Sequence, residues 1–484
     1  MVALDIGIWI AYILVFIWLF RKGSGHDVML SGKVGFGIQA FAFVATYISA
    51  VALVGFGGLA YQYGMQMLLI AAGNVWLGTW IVYRYLAWPT RVCQRNLGAR
   101  TPVQLLAKGH RSPLLGRFLA LIFAIFLGVY ASAVIKGAAL LLEQIVPLSA
   151  GFLVWLVAIL VGCAVFIGGL RGVLYTEAMQ GFVMLIGITM LILAVFDKVG
   201  GPLQGMEQLA ALAPTKAANT GFVSLASGGE GWFILSLVIV TSVAVWAQPQ
   251  MIQRHFALAS PQQVDRITPL AMCVLTVLVG GAYYVAALGR IFLPEIAQPD
   301  AVMPTMVRML LPEVGLQLFV LAIASASLST ATAIFHIAVS AVAEDLPGSP
   351  ATRFRWFLGI CFIVILSAGC AQVKGQIIAM LCATSWSVVG SAVLVSYVAL
   401  VRFGRRSSKA AWWSFVAGFG TCLVWYLMTD KHLAILPLPF PALRSIPPFF
   451  VGFTFSLLGW GIGWMLDPFA RAKSHFWPEH ESRQ

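Results

Sequence analysis

The sequence predicts an all-helical protein that crosses a membrane about thirteen times. Three observations support this fold class. Of the 484 residues, 60% are hydrophobic and only 10% are charged, whereas soluble proteins carry about 25% charged residues. The mean hydropathy is +0.92. The apolar residues also form long runs of about 20, the length that spans a bilayer as a helix. The bilayer is therefore the expected solvent.

Thirteen apolar runs are candidate spans. Twelve or fourteen remain possible, because the run at 376–401 follows its predecessor closely. The first run follows Asp5 and ends at Arg21 without a small-residue cleavage site, so it is predicted to be a helix and not a cleaved signal peptide. The candidate spans are 6–20, 37–60, 66–88, 118–142, 150–169, 173–196, 231–249, 268–289, 314–342, 356–373, 376–401, 410–428 and 447–466.

Lys and Arg are unevenly distributed between the connections. With thirteen spans, about three quarters of the 30 Lys and Arg residues lie on one side, which the positive-inside rule assigns to the cytoplasm. The C-terminus is then cytoplasmic and the N-terminus lies outside the cell (inner) membrane. The basic runs 91–117 and 402–409 are predicted to meet anionic lipid headgroups. They account for the net charge of +13 without nucleic acid as a partner.

No connection is long enough for a separate soluble domain, so the chain is predicted to be one transmembrane domain. The seven cysteines are scattered and show no C-x-x-C spacing, which favours packing residues over a metal or disulfide framework. No two histidines have ligand spacing within a span, and no nucleophile–base motif is evident. An enzyme is therefore not predicted.

Two spans contain residues that interrupt a helix. The second span carries small and polar residues at 45–50 and glycines at 55–58, and the seventh carries Gln248 and Pro249. Proline removes a backbone donor, and a carbonyl freed in hydrocarbon needs another partner, such as a dehydrated cation. The two spans are five apart, as expected for inverted repeats that each begin with a broken helix. The alternative is that Gly and Pro are simply common in membrane helices.

The ninth span is rich in hydroxyl groups over residues 324–332 (Ala-Ser-Ala-Ser-Leu-Ser-Thr-Ala-Thr). Small residues allow close helix packing, but packing does not require so many oxygens. Ser329 and Thr332 are three apart and share a helix face. Their oxygens suit a hard cation such as Na⁺.

From about residue 28 to residue 400, the sequence resembles the sodium/solute symporters, which include bacterial pantothenate, proline, sugar and sialic acid carriers. Five local patterns carry the resemblance, and they occur in the family's order and spacing: 28–33, 45–50, 168–181, 248–254 and 328–346. The resemblance implies a leucine-transporter-type core of five plus five helices, formed by spans 2–6 and 7–11. It divides the chain into an extra N-terminal helix and loop (1–36), a first inverted repeat (37–196), a second inverted repeat (231–401), and C-terminal helices with a cytoplasmic tail (402–484).

The resemblance also implies one main sodium site. Its ligands would be the backbone carbonyls of Ala45, Ile48 and Ala326 and the hydroxyls of Ser329 and Thr330. Na⁺ is therefore the expected coupling ion.

Some members of the family have a second sodium site. Here its carboxylate would be Glu177, and its hydroxyls would come from Ser329 and Thr332. Ala333 replaces a serine of the two-sodium members. The alternative is that Glu177 is a structural partner near the end of its helix.

Three residues are predicted to contact the substrate. Ser49 and Gln248 lie on the broken helices at positions that touch substrate in relatives. Lys136 lies inside the fourth span, where it would hold a substrate carboxylate; alternatively, its stem reaches the outer surface. His336 is either a proton relay or a hydrogen-bonded structural residue.

The predicted function is sodium-coupled symport of a small organic solute by alternating access. The best candidate substrate is a monocarboxylate or a pantothenate-like organic anion, and the alternatives are an amino acid or a sugar. The expected partners are this small molecule and the bilayer, with no obligate protein partner. Proton coupling and a membrane sensor that works with a partner protein remain open.

Overall fold

The computed structural model describes residues 7, 10–16, 18–19, 34–143, 146–167, 170–225, 231–293, 296–373, 378–429 and 446–468, and within them every regular element is helical. The all-helical prediction is therefore confirmed. The α-helices are α1 Phe36–Tyr47, α2 Phe56–Tyr63, α3 Leu68–Val75, α4 Trp88–Leu97, α5 Pro102–Gly109, α6 Pro113–Leu142, α7 Ala150–Ile167, α8 Leu170–Val199, α9 Pro202–Ala210, α10 Gly231–Ser242, α11 Pro249–His255, α12 Pro261–Leu275, α13 Ala282–Leu288, α14 Val302–Leu310, α15 Glu313–Ser340, α16 Arg353–Ala371, α17 Ile378–Phe403, α18 Ser408–Thr429 and α19 Pro448–Met465.

Ten helices in the described part of the chain are long and apolar enough to cross a membrane, or eleven if the bent pair α10 and α11 is one span. The predicted second span is divided between α1, a π-helix at Val51–Gly55, and α2. With 12 residues, α1 is too short to cross alone. The predicted first span, 6–20, lies partly outside the described residues. These two spans account for the difference from thirteen.

Several helices begin at a hydroxyl residue followed by proline. The side chains of Thr101, Ser112 and Ser260 each accept a hydrogen bond from the backbone N–H three residues later. The hydroxyl oxygen satisfies one donor of the first turn, and the following proline needs no partner for an N–H. These local signals fix where α5, α6 and α12 start.

The two most buried spans are the one containing α15, which continues as a π-helix to Asp345, and α17. α15 packs against α8, α6 and α1, and α17 packs against α6 and α18. By contrast, α18 and α19 pack mainly on each other, and only about a third of the residues in each are buried. The functional candidates on α1, α10 and α15 therefore lie in the interior.

A short 3-10 turn, Pro299–Ala301, lies against the second half of the broken helix. Gly58 of α2 approaches this turn so closely that an added Cβ would collide with the carbonyl of Pro299. Only glycine allows this contact between the two backbones.

Candidate functional site

The first helix break places a backbone carbonyl among side-chain hydroxyls. α1 ends at Tyr47, and Ile48 is extended (φ −102°, ψ 124°). In a continuous helix, the Ala45 carbonyl would accept from the N–H four residues later. Here it accepts from the hydroxyls of Ser329 at 2.9 Å and Thr330 at 3.1 Å. The break is thereby tied to the middle of α15.

Hydrogen bonds link four of the five predicted sodium ligands, Ala45, Ala326, Ser329 and Thr330, and Ile48 lies at the break itself. Ser329 Oγ is also 2.9 Å from the Ala326 carbonyl oxygen. The five residues, Ala45, Ile48, Ala326, Ser329 and Thr330, are each at most 1% exposed. Each hydroxyl could turn its proton away from a cation and present its lone pairs. Carbonyls at an unwound segment together with hydroxyls suit Na⁺, so the donor set fits this ion.

The second break lies where Pro249 predicted it. α10 ends at Ser242, a 3-10 turn covers Ala244–Ala247, and Gln248 is extended (φ −67°, ψ 125°) before α11 begins. The two halves are bent by 53°. Proline is suited to the first position of the second half, because it has no N–H to leave unpaired and its φ is already helical.

The two breaks are joined directly. The Tyr47 hydroxyl, at the end of α1, donates to the carbonyl of Thr241 at 2.8 Å. The amide oxygen of Asn74 accepts from the Ser242 hydroxyl at 3.2 Å. Both bonds satisfy groups near the point where α10 stops. A movement of one broken helix therefore changes the hydrogen bonds of the other.

A hydrogen bond also joins a π-helix of the predicted third span to the second break. The indole N–H of Trp246, in the turn between α10 and α11, donates to the carbonyl of Leu77 at 3.0 Å. Leu77 lies in the π-helix Trp76–Ile81. π-Segments alter the backbone hydrogen-bond register and are frequent at functional sites.

Several buried polar atoms near the second break have no partner among the described residues, and two of them lie on Gln248 and Trp386. Gln248 is fully buried; its amide group donates to the Trp386 carbonyl at 3.4 Å, but its Oε1 is unpaired. The indole Nε1 of Trp386 is also unpaired. The Trp386 ring lies edge-to-face with Tyr130 at 5.3 Å, and Ser49 lies near Tyr130. An unpaired buried acceptor and donor are costly, and both atoms are available to contact a ligand; substrate binding by Gln248 stays a prediction.

Lys136 has a carboxylate in its neighbourhood that sequence reasoning missed. Asp300 Oδ2 accepts from the backbone N–H of Ile378, the first residue of α17, at 3.1 Å. Burial raises the pKa of the Asp300 carboxyl, and the Ile378 N–H and the charge of Lys136 lower it. The positive charge of Lys136 thus acts on Asp300. Substrate binding by Lys136 stays a prediction.

The residues of the predicted second sodium site have other partners. Glu177 forms a buried ion pair with Arg254, through Glu177 Oε1 and Arg254 Nη2. The hydroxyl of Thr332 is hydrogen-bonded within its own helix, to the carbonyls of Leu328 at 2.7 Å and Ser329 at 3.0 Å. The ion pair favours the structural interpretation of Glu177, and a second bound ion stays a prediction.

Several residues that make these contacts were not predicted from the sequence. Asn74, Tyr130, Asp300 and Trp386 drew no attention, although a tryptophan within the small-residue stretch 383–387 was a usable signal. His336 packs edge-to-face on Trp356 at 5.5 Å, and its relay role stays a prediction. The motif at 28–33 and the glycines at 168–169 lie outside the described residues.

The comparisons with known sequences agree with one another. A model of the sodium:solute symporter family matches residues 30–418. The chain is 28% identical over 311 residues to a sodium/pantothenate symporter of Haemophilus influenzae, covering 64% of this chain and 63% of that one. It is 27% identical to a sodium/pantothenate symporter of Escherichia coli, with 65% of each covered. It is 23% identical to a high-affinity proline transporter of Bacillus subtilis, and the match covers 84% of this chain and 87% of that one. The matched part is just under two thirds of both pantothenate symporters.

Three solved structures share the fold. An outward-open Na⁺-coupled sialic acid symporter superposes with a TM-score of 0.72 at 15% identity, covering 96% of this chain and 97% of that one. MhsT in complex with L-phenylalanine superposes with a TM-score of 0.54 at 12% identity, covering 90% of this chain and 99% of that one. Mhp1, a nucleobase-cation-symport-1 family transporter, gives 0.52 at 13% identity, with 95% and 98% covered. The predicted leucine-transporter-type fold is confirmed.

Proposed function

The chain belongs to the sodium:solute symporter family, and from this premise we propose that it carries a small organic anion across the cell membrane together with Na⁺. The proposed orientation has the N-terminus outside and the C-terminus in the cytoplasm, as the charge distribution indicates. Residues 37–196 and 231–401 act as the two inverted repeats. No covalent chemistry is needed, and no protein partner is part of the cycle.

The observation that carries this proposal is the cluster of oxygens at the first break. Ser329 and Thr330 of α15 direct their hydroxyls at the carbonyl of Ala45 in α1. A sodium ion that replaced these hydrogen bonds would link the two helices through its own coordination shell. An ion stabilises whichever conformation binds it more tightly, so sodium from outside favours the state in which both helices contribute ligands.

The substrate is proposed to lie between the breaks. The free indole N–H of Trp386 can donate to a carboxylate, and the free Oε1 of Gln248 can accept from a hydroxyl or amide N–H. Ser49 supplies a hydroxyl beside them. A pantothenate-like acid carries all of these groups, and two of the relatives are sodium/pantothenate symporters. An amino acid is the second candidate, because its carboxylate and ammonium would match the same pair.

Transport follows from the coupling of the two broken helices. Sodium and substrate bind from outside, the bundle rocks, and the Tyr47–Thr241 bond carries the motion of α1 to α10. Low internal sodium then releases the ion. Each charge that crosses contributes about 2.3 kcal/mol per 100 mV, besides the concentration term. We propose one sodium per cycle, because the charge of Glu177 is already balanced by Arg254.

The decisive experiment is uptake into liposomes that contain the purified protein, with and without an inward sodium gradient, across labelled organic acids, amino acids and sugars. The double variant Ser329→Ala/Thr330→Ala should lose sodium-driven uptake. Ser327→Ala is the matched control, because this buried hydroxyl on the same helix bonds to the carbonyl four residues earlier. It should retain uptake.

Three outcomes would overturn parts of the proposal. Uptake that is driven by a proton gradient and does not depend on sodium would show that the coupling ion is a proton. Equal uptake by the double variant and the control would remove the proposed sodium site. Substrate binding without any uptake would favour a sensor that works with a partner protein.

A further inference from the structure

A groove of about 960 Å³ opens between two helices, and its lining includes no residue of either helix break. One wall is the helical run 76–88, and the other is the first part of α12, residues 261–272. The end of α17, at Arg402, closes one end of the groove. The positive-inside count assigns this end of all three elements to the cytoplasm.

The groove has the length of one membrane leaflet. At 1.5 Å per residue, the wall formed by α12, residues 261–272, extends for about 17 Å, and one leaflet contributes about 15 Å of hydrocarbon. Trp76 and Met272 lie at the deep ends of the two walls, and Trp88 and Pro261 lie at the shallow ends. An acyl chain would run along the groove from the headgroup level to the middle of the bilayer.

Charged side chains converge on the groove from separate parts of the sequence. Arg84 and Arg402 are both exposed and line it, and Asp265 faces it from α12. Neither arginine forms an ion pair or hydrogen bond with any residue that the structure describes. Trp76 is 57% exposed and Trp80 is 40% exposed, so both rings offer apolar surface along this wall of the groove.

We propose that this groove binds one anionic phospholipid of the cytoplasmic leaflet. Its phosphate lies between Arg84 and Arg402, and hydroxyl groups of its headgroup donate to Asp265. One acyl chain packs on Trp76 and Trp80. Two positive side chains and one negative side chain complement a headgroup with a single net negative charge and hydroxyl donors, such as phosphatidylglycerol. A choline headgroup would bring a quaternary ammonium close to two guanidinium groups.

The test measures phosphatidylglycerol binding to the purified full-length protein in neutral detergent, by native mass spectrometry and by the shift in the unfolding temperature. Phosphatidylcholine is the reference lipid. Each arginine near an anionic lipid surface strengthens binding about fivefold, so Arg84→Gln/Arg402→Gln should weaken phosphatidylglycerol binding about thirtyfold. Arg117→Gln/Arg353→Gln is the matched control, because it removes two exposed charges from the same end but outside the groove.

The expected result is a phosphatidylglycerol-specific rise in unfolding temperature in the wild type and the control, and its loss in the Arg84/Arg402 variant. Arg84→Lys/Arg402→Lys should recover part of the rise, which separates lipid binding from misfolding. An equal rise with phosphatidylcholine, or equal losses in the two glutamine variants, would overturn the proposal.

Discussion

The guanidinium of Arg254 donates to the carboxylate of Glu177 inside the helical bundle, and this ion pair joins α11 to α8. Both side chains are at least 90% buried. Glu177 Oε2 has no further partner among the described residues. A carboxylate at this position therefore already has a cation, which belongs to the chain itself.

Removing one member of this pair should be more harmful than removing both. Glu177→Gln leaves the buried charge of Arg254 unpaired, which should destabilise the protein by about 3–5 kcal/mol. The double variant Glu177→Gln/Arg254→Gln should lose much less, as measured by thermal unfolding in detergent. In reconstituted protein it should keep the sodium stoichiometry of the wild type. A sodium Hill coefficient that falls from two to one in the double variant would contradict the proposal of a single site.

Tyr47→Phe should remove the hydrogen bond that joins the two helix breaks directly. The variant leaves the buried carbonyl of Thr241 without the hydroxyl that donates to it, at a cost of about 1–3 kcal/mol. Tyr284→Phe is the control, because its hydroxyl donates to the Pro202 carbonyl at the same 2.8 Å but at an exposed place where water can replace it. Unfolding temperatures should fall clearly in the first variant and little in the second. Equal changes would show that the Tyr47 bond is not a buried link.

Trp386→Phe should weaken substrate binding while sparing sodium. The variant keeps an aromatic ring against Tyr130 but removes the unpaired N–H. A hydrogen bond to a charged carboxylate contributes about 1.5–3 kcal/mol, so the apparent KM for substrate should rise about tenfold or more. Trp412→Phe, which removes an indole bonded to Ser112 elsewhere in the fold, should leave KM unchanged. A change in sodium affinity alone would place Trp386 outside the substrate site.

His110 should make the protein acid-sensitive. Burial lowers its pKa to about 4, the Ser396 carbonyl raises it, and Arg406 lowers it. Between about pH 6.5 and pH 4, the unfolded chain therefore binds a proton that the folded protein does not, so stability falls as pH falls. The full effect is about 3 kcal/mol. The loss of unfolding temperature from pH 7.5 to pH 5 should be smaller in His110→Gln than in the wild type, and an equal loss would contradict this.

The helix breaks were predictable because their causes are local. Pro249 removes a donor wherever it stands, and clustered small residues weaken the helix around Ile48. The hydroxyl content of α15 was equally visible. That the hydroxyls of Ser329 and Thr330 meet the carbonyl of Ala45 was expected only through family resemblance, because these residues lie more than 280 positions apart.

The remaining partners depend on packing between distant helices. Gln248 meets Trp386 from 138 residues away, and Asp300 meets the start of α17 from 78 residues away. No helical periodicity links such positions. The ion pair of Arg254 with Glu177, 77 residues apart, is of the same kind. Residues that interrupt their own helix can therefore be predicted from the sequence. Residues that complete a site from another helix can be identified only in the folded structure.

The close contact of Gly58 with the Pro299 turn offers a way to change the position of this turn by substitution. A methyl group at position 58 would already collide with the Pro299 carbonyl, so any larger side chain acts as a wedge between α2 and the turn. Gly58→Ala, which supplies this methyl group, should trap the protein with this turn displaced. Such a trapped population would be suitable for cryo-electron microscopy or distance measurements by spin labels.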